Sequence, residues 1–410
     1  MGRAQWSVMI SVDEARNLIL ESVQPLASQN IAVTDCLYRI PSSSIAAQID
    51  LPGFDNSAMD GFAVRAADLE KADRNNRIEL ACVATVEAGS ETRRAVDTGE
   101  CIRIFTGAPL PHGADAVVMQ EDTENSEDSG QVLFAEPIKP WENIRFRGED
   151  IRSGSSIAST GHRIGIGVRA VLYGAGVSEL EVVQKPKVAV LATGNELREP
   201  GEVPLAPGQI YETNRSTLAA FIEKSGCEAV VFPLVPDTLE ATQEAFRRAF
   251  KECDAVITSG GVSVGQMDFV KTAFDRIGGE LSFWRVAMRP GKQFGFGRFQ
   301  SKYWFGLPGN PVSSVVTFLL LVRPALDRLS GLSDLVMERR KGTLGEDLSN
   351  PGNRTHFFRV IFKADNSMVF SAGAQGSHRL LSLSQSNGLL EVPPDTIFKA
   401  GQECEVLMWD

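Results

Sequence analysis

Lys187-Val-Ala-Val-Leu-Ala192 and, further along the chain, Asp254-Ala-Val-Ile-Thr258 decide how this 410-residue sequence folds. Each is a short, continuous apolar run bounded by turn residues, the pattern of a strand buried on both faces of a parallel sheet. Between them, Asn214 is placed to cap a helix ending at Gly226. Ala229 to Val235 then reads as a second strand and Leu239 to Cys253 as a second helix. After Thr258 come a glycine-rich loop and a helix near Asp268 to Ile277. Strands and helices alternating with short connections predict an open, mostly parallel α/β sheet with helices on its faces.

Outward from this α/β block the periodicity changes. Ser11-Val12-Asp13-Glu14 has the form of a capping box, opening a helix with Ala15, Leu18, Ile19 and Val23 on one face. From Leu51 to Pro140 short β-rich runs dominate. Cys101 to Phe105 and Ala116 to Met119 are the clearest, joined by the Gly/Pro-rich turn Thr106 to Asp115. The acidic stretch Glu121 to Asp128 is expected to be a solvated loop tip. Beyond Gly331, Thr355 to Lys363 alternates, Asp365-Asn366 turns and Glu403 to Met408 closes the chain, which predicts a small all-β C-terminal domain. The expected division is a discontinuous linking domain (1–50 and 141–180), an inserted β-rich domain (51–140), an α/β domain (181–331) and the C-terminal domain (332–410).

Composition narrows the partners. Lys and Arg number 41 against 52 acidic residues, a net charge of -11. Such a chain repels phosphate backbones and anionic lipid, so nucleic acid and membrane surfaces are not expected partners. The six cysteines form no C-x-x-C pair and the four histidines are not paired at helical spacing. Reduced thiols are expected, and neither a zinc cage nor a metalloprotease site. Val312 to Val322 is shorter than the roughly 20 residues of a membrane span, and no signal peptide is evident, so a cytoplasmic protein is expected.

In an open α/β sheet, ligands bind beyond the carboxyl ends of the strands. Here those ends run into Thr193-Gly-Asn-Glu196, Pro236-Asp-Thr238, Ser259-Gly-Gly-Val-Ser-Val-Gly265 followed by Asp268, and Pro308-Gly-Asn-Pro311. Structural explanations exist for several of these residues. Asp237 with Glu240 makes a capping box, Asn310-Pro311 fits N-cap and N1, Asp268 favours a helix dipole, and Glu196 could be an exposed loop carboxylate. Ser259 to Gly265 resists such an account, since its backbone N–H groups can point at an anion. Arg285 and Arg289, four apart in a predicted strand and hence on one face, are turned by Pro290-Gly291 toward Lys292. A basic strand edge is the ordinary explanation. Against the acidic whole, the cluster favours phosphate or oxyanion binding. Carboxylates and cations together suggest an anion bridged by a hard divalent ion such as Mg²⁺. Gly165-Ile-Gly-Val-Arg-Ala170 matches the dinucleotide fingerprint formally but follows no strand, and Arg339-Arg340-Lys341 is expected to mark a linker.

These residues, with others from the β-rich block, resemble the molybdopterin molybdenumtransferases, the molybdenum insertases that include the E domain of gephyrin. The matching stretches are Leu51-Pro-Gly-Phe-Asp-Asn-Ser-Ala-Met-Asp-Gly-Phe-Ala-Val64, Arg103-Ile-Phe-Thr-Gly-Ala-Pro109, Asn143-Ile-Arg-Phe-Arg-Gly-Glu-Asp-Ile151 and Thr193 to Leu197. Ser259 to Asp268, Arg289-Pro-Gly-Lys292, Gly306-Leu-Pro-Gly-Asn-Pro311 and Gln375-Gly-Ser-His378 complete the set, in family order over nearly the full length.

The resemblance implies an elongated homodimer with a molybdopterin-binding-like α/β domain and a C-terminal β-barrel. It implies Mg²⁺-dependent transfer of molybdate into adenylylated molybdopterin with release of AMP. A molybdopterin adenylyltransferase would supply the substrate and apo-molybdoenzymes would receive the product. By the same resemblance, Glu196, Asp237 and Asp268 would hold the metal. Ser259, Gly260, Gly261 and Ser263 would supply donors, and Arg285, Arg289 and Lys292 would hold phosphate or molybdate. Pro308 and Pro311 would shape a loop, Ser377 would approach from the barrel, and Asp60, Thr106 and Asp150 as catalytic groups with Arg145 as a substrate-binding one would come from the other part of the site, which in this family lies between the α/β domain of one subunit and the inserted domain of the other. Arg285 and Arg289 replace the lysines usual in the family, Asn195 stands where aspartate is common, and Gln266 where glutamate is frequent. A receptor-anchoring scaffold and the preceding adenylyl transfer are the competing functions. Met1, immediately before the first domain, favours a stand-alone enzyme over a fused scaffold.

Overall fold

The structure, a computed structural model, describes residues 9–90, 92–126, 130–261, 269–335 and 337–409. The chain forms two compact units. One gathers Met1–Ser43, Thr160–Ile164 and Leu180–Asp410, the other Ser44–Ser159 and Gly165–Glu179.

In the larger unit the apolar runs form a six-stranded sheet in the spatial order Glu228–Val231, Lys187–Ala192, Ala255–Ser259, Lys302–Leu307, Gln293–Phe299, Glu280–Arg285. The first four strands are parallel. Gln293–Phe299 runs antiparallel to both of its neighbours, Lys302–Leu307 and Glu280–Arg285, and is joined to the former by a tight turn at Gln300, in the left-handed region at φ 56°. The side-chain alternation of a strand builds two cores. Val188, Val190, Ala255, Ile257, Tyr303 and Phe305 share one face with the helices Val12–Ser22 and Asn214–Lys224 and with the run 311–329. Ala189, Leu191, Val256 and Trp304 pack on the opposite face against Leu239–Glu252 and Phe269–Arg276. A three-layer α/β arrangement results.

Ser11 caps the first helix by accepting from the Glu14 amide. Its buried stripe is Val12, Ala15, Ile19 and Val23, while Leu18, expected on that face, is 40 % exposed. The apolar stretch Val312 to Val322 is buried under the sheet, and among the described residues no helix is long and apolar enough to cross a membrane.

The C-terminal strands close on themselves. Thr355–Lys363 pairs with both Met368–Ser371 and Gly388–Val392, and Arg339–Leu344 and Glu403–Met408 complete the ring around Leu344, Val360, Val369 and Val406. This is a small β-barrel. Arg339, Arg340 and Lys341, expected in a linker, lie in its first strand, where cross-strand pairing with Glu405, Val406 and Leu407 fixes them.

The smaller unit holds a mixed sheet in the order Ala116–Met119, Gly61–Val64, Glu100–Ile104, Ile78–Val86, Gln131–Phe134, Thr123–Ser126. Gly61–Val64 lies between the two strands expected from sequence. A Cβ on Gly61 would fall 1.9 Å from the Val118 carbonyl oxygen, so no other residue fits this crossing. Thr123–Ser126, expected in a loop tip, is an edge strand paired with Gln131–Phe134. Of that acidic stretch, Glu127 and Asp128 lie outside the described residues. Gly165 precedes the helix Ile166–Gly174, but the strand before it, Ser156–Ala158, pairs with Ile45–Ala46 alone. No βαβ unit surrounds the glycine fingerprint.

Candidate active site at the carboxyl edge of the sheet

The strand ends of the larger unit enclose a cavity of about 610 Å³, walled by four loops. Thr193, Gly194 and Glu196 come from the first strand end, Asp237 from the second, Ser259, Gly260 and Gly261 from the third, and Pro308, Gly309, Asn310 and Pro311 from the fourth. Gly260 and Gly261 take φ of 90° and 67°; added Cβ atoms would lie 2.8 Å from the Thr193 carbonyl oxygen and 2.3 Å from the Val270 side chain. Glycine is required at both, and the turn exposes backbone to the cavity. Among the described residues, the Thr193 hydroxyl is buried on this wall without a hydrogen-bond partner.

A buried polar network holds the loops together. Asn214, expected to cap its helix, is the first helical residue, and the N-cap is Thr213. Capping passes to Glu212, whose carboxylate accepts from the amides of Asn214 at 2.6 Å and Arg215 at 2.9 Å. The Asn214 Nδ2 is thereby free to donate to Ser259 Oγ at 2.7 Å and the Gly309 carbonyl at 2.8 Å, joining the third and fourth strand ends. Arg215, 4 % exposed, donates to Glu212, Glu199 and the Phe232 carbonyl, which neutralises Glu212. Glu212 and Asn214 line the cavity; Glu212 carries no motif spacing that would mark it in sequence and burial alone reveals it, whereas Asn214 stands out in sequence only as a helix cap.

Asp237 and Glu196 are the carboxylates that remain. The expected Asp237–Glu240 capping box is not formed: Thr238 is the N-cap and accepts from the Ala241 amide. Asp237 therefore keeps its carboxylate for the cavity, and its own amide donates to Asn195 Oδ1, which ties the first and second loops. Burial pushes the Asp237 carboxyl above its ordinary range, and the charge of Glu196 adds to the effect. Two mutually repelling oxygen donors with no lysine or arginine on the described cavity wall form a donor set that suits Mg²⁺, which binds through one or two carboxylates plus ligand oxygens. Among the described residues no group of three or more metal-ligating side chains gathers anywhere. Asp268 and Ser263 lie outside the described residues.

The cations are placed differently from expectation. Arg285 ends one strand of the α/β sheet, whereas Arg289 lies in the separate strand Met288–Arg289, which pairs with Thr355–Lys363 of the barrel. The chain breaks between them because Val286 bonds back to Lys292 and Ala287 to Ile10. They do not share a strand face. Among the described residues the Arg285 Nε is buried without a partner, and Arg289 stands close enough to His356 to depress its pKa. Neither they, Lys292 nor Ser377 line the cavity, although their neighbours Gln293 and His378 do. The Ser377 carbonyl accepts from the Val312 amide at the start of the Pro311–Thr317 helix.

In the smaller unit, Asp60 Oδ1 accepts from both the amide and the hydroxyl of Thr106 at 2.7 Å. These bonds, the amide first, hold the Asp60 carboxyl below its ordinary range. Arg145 pairs with Asn56, and the Ala58 amide donates to the Asn143 carbonyl, so this motif packs beside the Asp60 loop. The Asp150 amide bonds to the Leu51 carbonyl.

Comparison with known proteins places these features in one family. The MoeA N-terminal region (domain I and II) matches residues 10–176, the probable molybdopterin binding domain 189–328, and the MoeA C-terminal region (domain IV) 341–409. A molybdopterin molybdenumtransferase of Haemophilus influenzae is 37 % identical over 92 % of this chain and 93 % of its own. Molybdopterin molybdenumtransferase 2 of Mycobacterium tuberculosis is 36 % identical over 98 % of this chain and 100 % of its own. The crystal structure of a molybdopterin biosynthesis MoeA protein from Pyrococcus horikoshii superposes with a TM-score of 0.85 at 30 % identity, covering 98 % of this chain and 100 % of that one. The chain belongs to the molybdopterin molybdenumtransferase family.

Proposed function

We propose that the chain inserts molybdenum: it takes adenylylated molybdopterin and molybdate, releases AMP and leaves molybdenum on the dithiolene of the pterin. The observation that carries this reading is the polar cavity at the carboxyl edge of the sheet, in which Asp237 and Glu196 repel one another and no described lysine or arginine intervenes. Glu196 and Asp237 would hold Mg²⁺, together with Asp268 by the family motif. Bound there, the ion supplies charge compensation for the phosphate and for the charge leaving with AMP. The Gly261 backbone and the Thr193 hydroxyl, unpartnered among the described residues, serve as neutral donors to phosphate oxygens, with Ser259 beside them by family motif, while the Gly260 amide is held by the Leu307 carbonyl at 3.2 Å. Asn214 and Glu212 hold the loops so that these donors converge. The dithiolene sulfurs are themselves the ligands for the incoming metal, so no protein nucleophile is needed.

By family motif, Arg285, Arg289, Lys292, Ser377 and Arg145 belong to the same reaction as substrate-binding groups, and Asp60, Thr106 and Asp150 as catalytic ones. The working form is a cytoplasmic homodimer built from linking, inserted, α/β and barrel domains. Incubating the purified protein with adenylylated molybdopterin, molybdate and Mg²⁺ tests the proposal. AMP should accumulate above the protein-free control; its failure to do so removes the reading.

A further inference from the structure

A pair of sulfurs lies in the smaller unit, outside the cavity and every motif assigned above. Cys82 in Ile78–Val86 and Cys101 in Glu100–Ile104 are direct partners across a parallel strand pair. Both side chains face one core, with Phe62, Val64 and Leu80: Cys101 is fully buried in it and Cys82 is half-buried against it. Adjacent strands lie about 4.8 Å apart, within the roughly 4.4–6.8 Å Cα separation a disulfide bridges. The register shifts between Cys82 and Ala84, and such a bulge lets the Cys82 side chain turn without moving the rest of the ladder.

We propose that Cys82 and Cys101 are a reversible thiol–disulfide site, with Cys82 the thiol that meets the oxidant. The neighbouring Cys101 thiol lowers the Cys82 pKa and favours its thiolate, burial opposes this, and the Arg103 backbone and charge add to it, while Cys101 itself is held protonated by Cys82 and by burial; when protonated, Cys82 Sγ donates to the Ala84 carbonyl at 3.7 Å. With a low-molecular-weight disulfide such as oxidised glutathione, the Cys82 thiolate attacks one sulfur, the oxidant's S–S bond breaks, and one glutathione thiol leaves with a proton. The Cys101 sulfur then gives up its proton, attacks Cys82 Sγ and expels the second glutathione. Two protein thiols are oxidised and one glutathione disulfide is reduced to two thiols. The remaining cysteines, Cys36, Cys227, Cys253 and Cys404, are buried and are not strand partners of one another.

The test treats the full chain with oxidised glutathione, quenches with acid, alkylates with N-ethylmaleimide under denaturing conditions and maps peptides by mass spectrometry. The expected product is one cross-linked peptide pair joining Cys82 to Cys101, reversed by dithiothreitol, with the other four cysteines alkylated. In Cys101→Ser, Cys82 should stop at the mixed glutathione disulfide; in Cys82→Ser, at a half-exposed position, Cys101 should remain a free thiol. A mixed disulfide at Cys82 that persists in the unmutated chain, or full alkylation of both cysteines, overturns the proposal.

Discussion

Asp237 carries a conflict that its neighbours do not. A carboxyl whose folded pKa lies above its ordinary value of 3.8 binds a proton more readily in the folded chain than in the unfolded one, so ionising it costs stability as pH rises through that window. At neutral pH the charged Asp237 is therefore a liability that function must justify. Asp237→Asn is predicted to leave the melting temperature at pH 7.5 unchanged or higher while weakening Mg²⁺ binding in calorimetry. A lowered melting temperature with binding intact would assign the residue to the scaffold. Sequence had two accounts of this aspartate, cap or ligand, and the adjacent Thr238 separates them by taking the cap. Glu212 shows the opposite case. It sits between Tyr211 and Thr213 with no spacing signature, and only its 5 % exposure and two amide partners reveal its task.

Elements were legible where burial on both faces wrote continuous apolar runs, as in Lys187–Ala192 and Ala255–Ser259. They were misread where a strand bends. Arg285 and Arg289 have the spacing of one face, yet long-range bonds at Val286 and Ala287 divide the segment between sheet and barrel. At this scale Thr238→Ala is predicted to cost ~1 kcal/mol of stability through the lost cap, with AMP release retained by the folded protein. Asn214→Ala is predicted to destabilise by ~1–3 kcal/mol, since it strands the Gly309 carbonyl and Ser259 hydroxyl, and also to slow AMP release because two cavity loops lose their tie. Thermal melts with single-turnover assays distinguish the two variants.

The barrel contributes a pH dependence of its own. Burial first, then Arg289, Arg359 and Arg354, pushes His356 down to about 4 from 6.5. Its contribution to stability is whole above pH 6.5 and shrinks as pH falls toward about 4, because the unfolded chain takes up a proton there and the folded chain does not. Asp327, pushed up to about 6 by burial, acts in the opposite direction by keeping a proton that the unfolded chain loses. His356→Gln should therefore lose less melting temperature than the unmutated chain over the interval from pH 6.5 to about 4. Equal losses would contradict the assignment.

For the molecule as a whole, the alternation of strands and helices, the inserted β-rich segment and the β-like C-terminus were each legible in local pattern. The closure of the last strands into a ring was not, because it depends on Thr355–Lys363 pairing with two strands at once. The candidate site was half legible: the glycine turn and the carboxylates stand at strand ends, whereas the buried network that joins those ends has no local signature. The central claim is that Glu196 and Asp237 serve metal-assisted release of AMP in this cavity. Its most direct test is the rate of AMP release by Asp237→Asn against the unmutated protein, with adenylylated molybdopterin, molybdate and saturating Mg²⁺. A loss of about 100-fold or more in a fully folded variant is predicted, and release at the unmutated rate would contradict the account.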